Sequence, residues 1–131
     1  MADTRRPLSP HIQIYTWQVQ MVTSILHRAT GIALAVGTLV VVWGLLALAA
    51  GEAAFDQFKV CIGSVPGMIL LIGWSWALFF HLCNGIRHLL QDAGAGFAIP
   101  QFVRSSWLSI VVSLLLVVIV WACVLACGGA A

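Results

Sequence analysis

The chain has 131 residues, of which 62% are hydrophobic and 8% are charged, with a formal net charge of +2. A soluble domain carries about 25% charged residues, so this composition excludes a water-soluble protein and indicates a membrane protein. At roughly 20 residues for each membrane-spanning helix, the length allows a few spans. It leaves no room for a flavin- or nucleotide-binding domain, and no nucleic-acid partner is expected.

The first element is a polar segment, residues 1–20, which contains Pro7 and Pro10. We interpret it as an extended surface segment that leads into a helix. Its first six residues are too few and too charged for a cleavable signal peptide. The first predicted span runs from about residue 22 to residue 50, and its deep part, residues 31–50, contains no charged residue.

A polar connector at residues 51–59 follows, and its composition is compatible with a short interfacial helix. The second span is predicted at about residues 65–90. A glycine-rich turn that Pro100 closes comes next, and the third span is predicted at about residues 106–126. The sequence thus predicts an all-α membrane protein with three transmembrane helices, organised as one membrane-anchor domain over residues 1–131.

Basic residues beside the spans predict the orientation, because short cytoplasmic loops are enriched in arginine and lysine. Five arginines fall on the side of the N-terminus and the second loop, whereas Lys59 is alone on the other side, with Glu52 and Asp56. The N-terminus is therefore expected in the cytoplasm of a bacterium with the chain in its inner membrane. The mitochondrial inner membrane is the alternative.

Ionisable side chains end the second span, and at membrane depth such groups are costly enough to indicate a function. Helical steps of four, seven and eleven residues place His81, Gly85, His88 and Asp92 on one face, with a gap at the glycine. A neutral imidazole is a good axial ligand for haem iron. We therefore predict that His81 ligates a haem, with Gly85 letting the macrocycle lie against the backbone.

Cationic side chains near this face are available to neutralise haem propionates, namely His27, Arg28, Arg87 and His88. His88 is about 10.5 Å from His81 along the helix axis and cannot share its iron. His27 lies at the entry of the first span, at a level that looks too shallow for the second axial ligand. A partner subunit is the better source of that ligand.

Purely structural roles for the same residues compete with the haem interpretation. His81 could simply be hydrogen-bonded to a neighbouring helix, and His88 could pair with Asp92. The four cysteines lack a C-x-x-C spacing, which argues against a zinc site, an iron–sulfur cluster or covalently bound haem, so we interpret them as packing residues.

A second constellation lies at the start of the first span, where Ser24, His27, Arg28 and Gly31 share one helical face. A hydroxyl and a guanidinium at the boundary of water and lipid suit a head group with carbonyl oxygens, such as a quinone. In the alternative interpretation, Ser24 caps the helix and Arg28 extends to lipid phosphates.

The chain resembles the cytochrome b large membrane-anchor subunits of succinate dehydrogenase (succinate:quinone oxidoreductase, respiratory complex II), in their alphaproteobacterial and mitochondrial form. The resemblance covers essentially the whole chain. The segments that carry it are Arg6-Pro-Leu-Ser-Pro-His-Ile-Gln-Ile-Tyr15, Ser24-Ile-Leu-His-Arg28-Ala-Thr-Gly31 and His81-Leu-Cys-Asn-Gly85-Ile-Arg-His88-Leu-Leu-Gln-Asp92.

This resemblance implies that His81 is one axial ligand of a haem b shared with the small anchor subunit. It also implies that this chain forms half of a heterodimeric helix bundle with that subunit. It further implies that Ser24 and Arg28 contribute to a ubiquinone-reduction site, with His27, Arg28 and His88 near a haem propionate. The implied partners are the small anchor, the iron–sulfur subunit and the flavoprotein subunit, and lipid surrounds the anchor. The chain itself would be a non-catalytic anchor within the enzyme complex.

Three other functions fit the same residues. The same fold could serve as the anchor of a quinol:fumarate reductase, which runs the reaction in reverse. A small proton- or cation-translocating protein could use His81 and His88 as a relay. The chain could also be a structural anchor without any cofactor.

Overall fold

The computed structural model describes residues 14–128, and this part of the chain is helical apart from its short connections. Four helices follow in order, α1 (Val19–Ala50), α2 (Glu52–Gly63), α3 (Val65–Asp92) and α4 (Ile99–Gly128). α1, α3 and α4 are each long and apolar enough to cross a membrane. The predicted all-α fold with three spans is confirmed, while residues 1–13 of the expected surface segment lie outside the described range.

α3 contacts both α1 and α4, and α1 and α4 also touch each other, so the three long helices form one bundle. Its interior is unlike that of a soluble protein. In the described range the buried apolar residues are only Ala47, Ala77, Phe80 and Val117, whereas eight buried residues are polar or charged. Most leucines, valines and isoleucines face outward, as expected where lipid rather than water surrounds the helices.

The inner face of α4 is built from serines. Ser106, Ser109 and Ser113 are buried, and each hydroxyl donates to a carbonyl oxygen three or four residues earlier in the same helix. These bonds satisfy the hydroxyls without help from another helix. Small side chains on this face let α3 and α4 approach closely, which is how membrane helices gain van der Waals contact.

The connector between the first two spans is a helix, as the composition allowed. Gly51 separates α1 from α2 with a φ of 116°, a backbone conformation that residues other than glycine rarely adopt. Phe58 of α2 packs edge-on against Trp43 of α1, with ring centroids 4.9 Å apart. α3 then begins after Ser64, whose side chain accepts a hydrogen bond from the backbone N–H of Gly67.

The helix that contains the third span begins before the apolar run. α4 begins at Ile99, whereas the span itself is predicted from about residue 106, and Pro100 lies in the first turn of α4 instead of closing the loop. Proline is favoured there because its fixed φ suits a helix and its missing N–H would have no helical partner. The loop between α3 and α4 is therefore short, with Gly94 and Gly96 both at positive φ.

Candidate functional site

The face of α3 that packs against α1 brings three histidines together. The rings of His27 and His81 are stacked, with centroids 3.9 Å apart and planes 9° apart. His88 lies about two helical turns after His81 on α3, with its ring centroid 5.1 Å from that of His27. The two helix faces identified in the sequence therefore meet at their histidines.

His27 lies between His81 and His88: its ring stacks on that of His81, is 5.1 Å from that of His88 and faces Gly85. Thr30 and Gly31, about one turn further along α1, also contact the His81 ring, so His27 lies nearer the start of α1, as expected. This stacked arrangement does not let both rings ligate one haem iron, since axial ligands approach from opposite faces of the porphyrin. The second ligand is therefore still predicted to come from another subunit, and the stacking of the two rings is a further reason for that prediction.

The orientation of the His81 ring is fixed by its Nδ1 atom. Nδ1 lies 3.1 Å from the backbone carbonyl oxygen of His27 and 3.3 Å from the hydroxyl oxygen of Thr30. Because a carbonyl oxygen can only accept, Nδ1 carries the proton and donates it. In the neutral ring the lone pair then lies on Nε2, which makes no hydrogen bond to any residue between 14 and 128.

Two glycines allow this close approach of α1 and α3. A Cβ atom at Gly31 would lie 3.1 Å from Cε1 of His81, which is tighter than ordinary van der Waals contact. A Cβ atom at Gly37, deeper in the membrane, would overlap the indole of Trp74. The expected gap at Gly85 is also present, but it faces Cε1 of His27, from which a Cβ atom would be 3.8 Å away.

Ser24 and Arg28 lie near the start of α1, on either side of His27 in the sequence. Ser24 is half-buried and Arg28 is exposed. Neither side chain forms a hydrogen bond or an ion pair with another residue of the described range. Both are therefore available to a ligand at the edge of the bundle, and the structure does not join them to the His81 ring.

The histidine cluster fits one haem better than a bare metal ion. Within residues 14–128, no three His, Cys, Asp or Glu side chains are arranged to hold a metal ion. A haem requires only one imidazole from this chain, because the porphyrin supplies four nitrogens. Nδ1 of His27 is buried without a hydrogen-bond partner in the described range, so a further polar group is expected at this face.

The alternative pairing of His88 with Asp92 is not found, because these two described side chains form no ion pair. One expectation about a neighbouring residue is wrong. Arg87 does not lie with the histidines, because its side chain is buried toward α4. Its Nε donates to the hydroxyl of Ser105 at 3.0 Å, and its guanidinium carbon lies 4.4 Å from the centre of the Phe102 ring.

The sequence reasoning missed this second polar cluster of α3. Asn84 accepts a hydrogen bond of 3.1 Å from Nη1 of Arg87, and Gln91 is buried one turn further on. The signal was present, since Asn84, Arg87 and Gln91 are spaced by three and four residues and so share a helical face. This face was not recognised because Arg87 is adjacent to His88 in the sequence and was assigned with it to the haem propionates.

Comparisons with known proteins agree with this architecture. Residues 2–120 match the family model for the succinate dehydrogenase/fumarate reductase transmembrane subunit. The chain is 42% identical to the succinate dehydrogenase cytochrome b556 subunit of Paracoccus denitrificans over 122 residues, which is 91% of this chain and 94% of the relative. It is 41% identical to the Rickettsia felis cytochrome b556 subunit, over 89% of this chain and 91% of the relative. The mitochondrial cytochrome b560 subunit of Sus scrofa is 40% identical, over 86% of this chain and 68% of the relative.

Proposed function

The chain belongs to the succinate dehydrogenase/fumarate reductase transmembrane subunit family, and on that premise we propose that it anchors a succinate dehydrogenase and binds haem b through His81. It would also contribute Ser24 and Arg28 to a ubiquinone-reduction site. The partners are a small anchor subunit, an iron–sulfur subunit and a flavoprotein subunit. The complex lies in the bacterial inner membrane, or in its mitochondrial counterpart, with the N-terminus of this chain on the cytoplasmic or matrix side.

The observation that carries this proposal is the hydrogen bond from Nδ1 of His81 to the carbonyl oxygen of His27. Histidines that ligate metals almost always donate their other ring N–H to a carbonyl, a carboxylate or water, which fixes the tautomer and strengthens the ligand. Here that bond holds the lone pair of Nε2 in one direction. A haem bound there supplies one-electron redox chemistry and a link between the two anchor subunits.

His27 and His88 are then the nearest candidates to bind a haem propionate, because the His27 ring stacks on that of His81 and the His88 ring lies beside that of His27. Gly31 and Gly85 keep the space between the two helices narrow enough to hold the histidine rings in place. Arg87, which hydrogen-bonds toward α4, is not proposed for this role.

At the quinone, Ser24 and Arg28 would bind a carbonyl oxygen. Succinate oxidation on the flavoprotein supplies two electrons through the iron–sulfur subunit, and two protons from the aqueous side complete the quinol. The charge of Arg28 would stabilise the negative charge that develops on the quinone oxygen during reduction. Ser24 would fix the position of the ring by a hydrogen bond.

The haem assignment is tested by the reduced-minus-oxidised absorption spectrum of the assembled complex. His81→Ala is expected to remove the b-type haem band, whereas Ser75→Ala, a change on the same helix whose hydroxyl bonds only to its own backbone, should leave it intact. A His81→Ala complex with an unchanged band would overturn the assignment. A wild-type complex without the band would favour a proton relay or a cofactor-free anchor.

The quinone assignment is tested by two activities of the same membranes. Arg28→Ala should reduce ubiquinone reduction by succinate at least tenfold while succinate oxidation with a soluble artificial acceptor remains near wild type. Equal loss of both activities would mean failed assembly, and equal retention would remove Arg28 from the site. The reverse reaction, fumarate reduction by a quinol, is compared in the same preparation to decide the direction.

A further inference from the structure

A cavity of about 330 Å³ lies between the end of α3 and the start of α4, on the side of α3 that carries the buried arginine. Its polar lining comes from Arg87, Gln91, Ser105 and Ser109. The loop between the two helices closes one end with Ala95 and Gly96. The stacked histidines do not line it, so it is separate from the site proposed above.

The cavity is lined by buried N–H donors that lack acceptors. Arg87 is 6% exposed and Gln91 is 9% exposed. Nη2 of Arg87 and Nε2 of Gln91 have no hydrogen-bond partner within residues 14–128. An unpaired buried donor is costly, so two of them in the lining of one cavity indicate a ligand that supplies acceptor oxygens.

The charge of Arg87 restricts the ligand further. Its described contacts are the hydroxyl of Ser105, the amide oxygen of Asn84 and the ring of Phe102, which are all uncharged. No carboxylate of the described residues pairs with it. A buried cation without a counterion is unfavourable, and an anion would remove that cost, whereas a neutral quinone would leave it in place.

The walls of the cavity indicate what kind of anion it is. Ile86, Leu90 and Leu108 line it and are also at least half exposed on the outer surface of the bundle. A ligand seated there would meet N–H donors at one end and an apolar, lipid-facing surface at the other. Basic pockets between transmembrane helices are a general way to bind anionic lipid head groups.

We propose that this cavity binds the phosphate group of an anionic phospholipid, with Arg87 and Gln91 as its donors and an acyl chain along Leu90 and Leu108. The unpaired Nη2 of Arg87 can donate a charge-assisted hydrogen bond to a phosphate oxygen. The proposal requires only that α3 and α4 cross the membrane. It is therefore independent of the haem and quinone assignments.

The test is native mass spectrometry of the intact, delipidated complex, titrated with dioctanoyl phosphatidylglycerol. The tightest-bound phosphatidylglycerol should be lost from Arg87→Gln, with its midpoint concentration raised at least tenfold. Arg104→Gln is the matched control, because Arg104 lies near the start of α4, as the cavity does, but is exposed and does not line the cavity. Its midpoint should change less than twofold.

Ala95→Trp provides a second variant that keeps Arg87 and fills the mouth of the cavity, and it should weaken binding as much as Arg87→Gln does. It decides the question if Arg87→Gln does not assemble. Dioctanoyl phosphatidylcholine, which carries no net charge, should bind at least tenfold more weakly than the anionic lipid.

Three results would overturn the proposal. Unchanged binding in Ala95→Trp would place the lipid elsewhere, and an equal loss in Arg104→Gln would show general surface attraction. Displacement of the lipid by an equal concentration of inorganic phosphate would identify the ligand as a free anion. The haem band, recorded on the same samples, shows separately whether the histidine site is intact.

Discussion

α3 carries two polar faces that differ in their chemistry. The face toward α1 presents imidazole rings, and the ring of His81 is held so that its Nε2 lone pair is free. The face toward α4 presents N–H donors, of which Nη2 of Arg87 and Nε2 of Gln91 lack acceptors. One face can thus coordinate a metal through a nitrogen lone pair, and the other can donate hydrogen bonds to an anion.

This difference shows how one membrane helix can hold two sites without mixing them. Adjacent residues on a helix point about 100° apart, so His88 and Arg87 face different neighbours although they follow each other in sequence. Substitutions on the α1 side should therefore alter haem binding, while substitutions on the α4 side should alter stability and phospholipid binding and leave the haem unchanged.

The largest effect is expected at Gly37, where any side chain overlaps the indole of Trp74. Gly37→Ala should push α1 and α3 apart at a cost of up to about 3 kcal/mol and lower the yield of haem-containing complex severalfold. Gly73→Ala is the control, since a Cβ atom there meets nothing within 4 Å. Equal yields of the two variants would contradict the close contact of the helices.

A smaller effect on the same face is expected at Thr30, whose hydroxyl lies 3.3 Å from Nδ1 of His81. Thr30→Val keeps the shape of the side chain but removes this contact, while the carbonyl of His27 remains. Loss of such supporting groups lowers metal affinity about 10- to 100-fold, and we expect the lower end. Haem content per complex after washing measures it, with Thr38→Val, an exposed position on α1, as the control.

On the α4 face, Ser105→Ala removes the acceptor of the Arg87 Nε–H. The buried guanidinium then lacks one hydrogen bond, which should destabilise the complex by about 1.5 kcal/mol. A lower midpoint temperature in thermal unfolding, together with an unchanged haem spectrum, is the expected result. A shifted haem spectrum would show that the two faces of α3 are coupled.

The smallest effect is expected for Gly31→Ala, which brings a methyl group 3.1 Å from Cε1 of His81. The ring must then move by a few tenths of an ångström, which should shift the haem absorption maximum without loss of haem. Low-temperature difference spectra resolve such a shift. Identical spectra for Gly31→Ala and Gly73→Ala would mean that the His81 ring does not rest against α1.

Much of the fold followed from the sequence, because hydrophobic run length and helical period are local properties. The three spans and the grouping of His81, Gly85 and His88 were predicted this way. The stacking of His27 on His81 and the direction of Arg87 were not, since both depend on how α1 and α4 cross α3. α4 begins before the predicted third span because the helix extends beyond the apolar run to include Gln101 and Arg104.

The roles of Ser24 and Arg28 remain predictions for a related reason. Their side chains form no hydrogen bond or ion pair with another residue of the described range. A quinone site formed between subunits cannot be completed by the geometry of one chain. By contrast, the hydrogen bonds of His81 lie within this chain, so its structure supports that assignment more directly.

Only four apolar side chains are buried within the described bundle, a feature with a consequence for the life of the protein in the cell. A newly synthesised copy gains little free energy from its own interior, so its persistence depends on meeting its subunits before proteases do. Its cellular abundance should therefore follow the synthesis of those subunits, and excess copies should turn over rapidly.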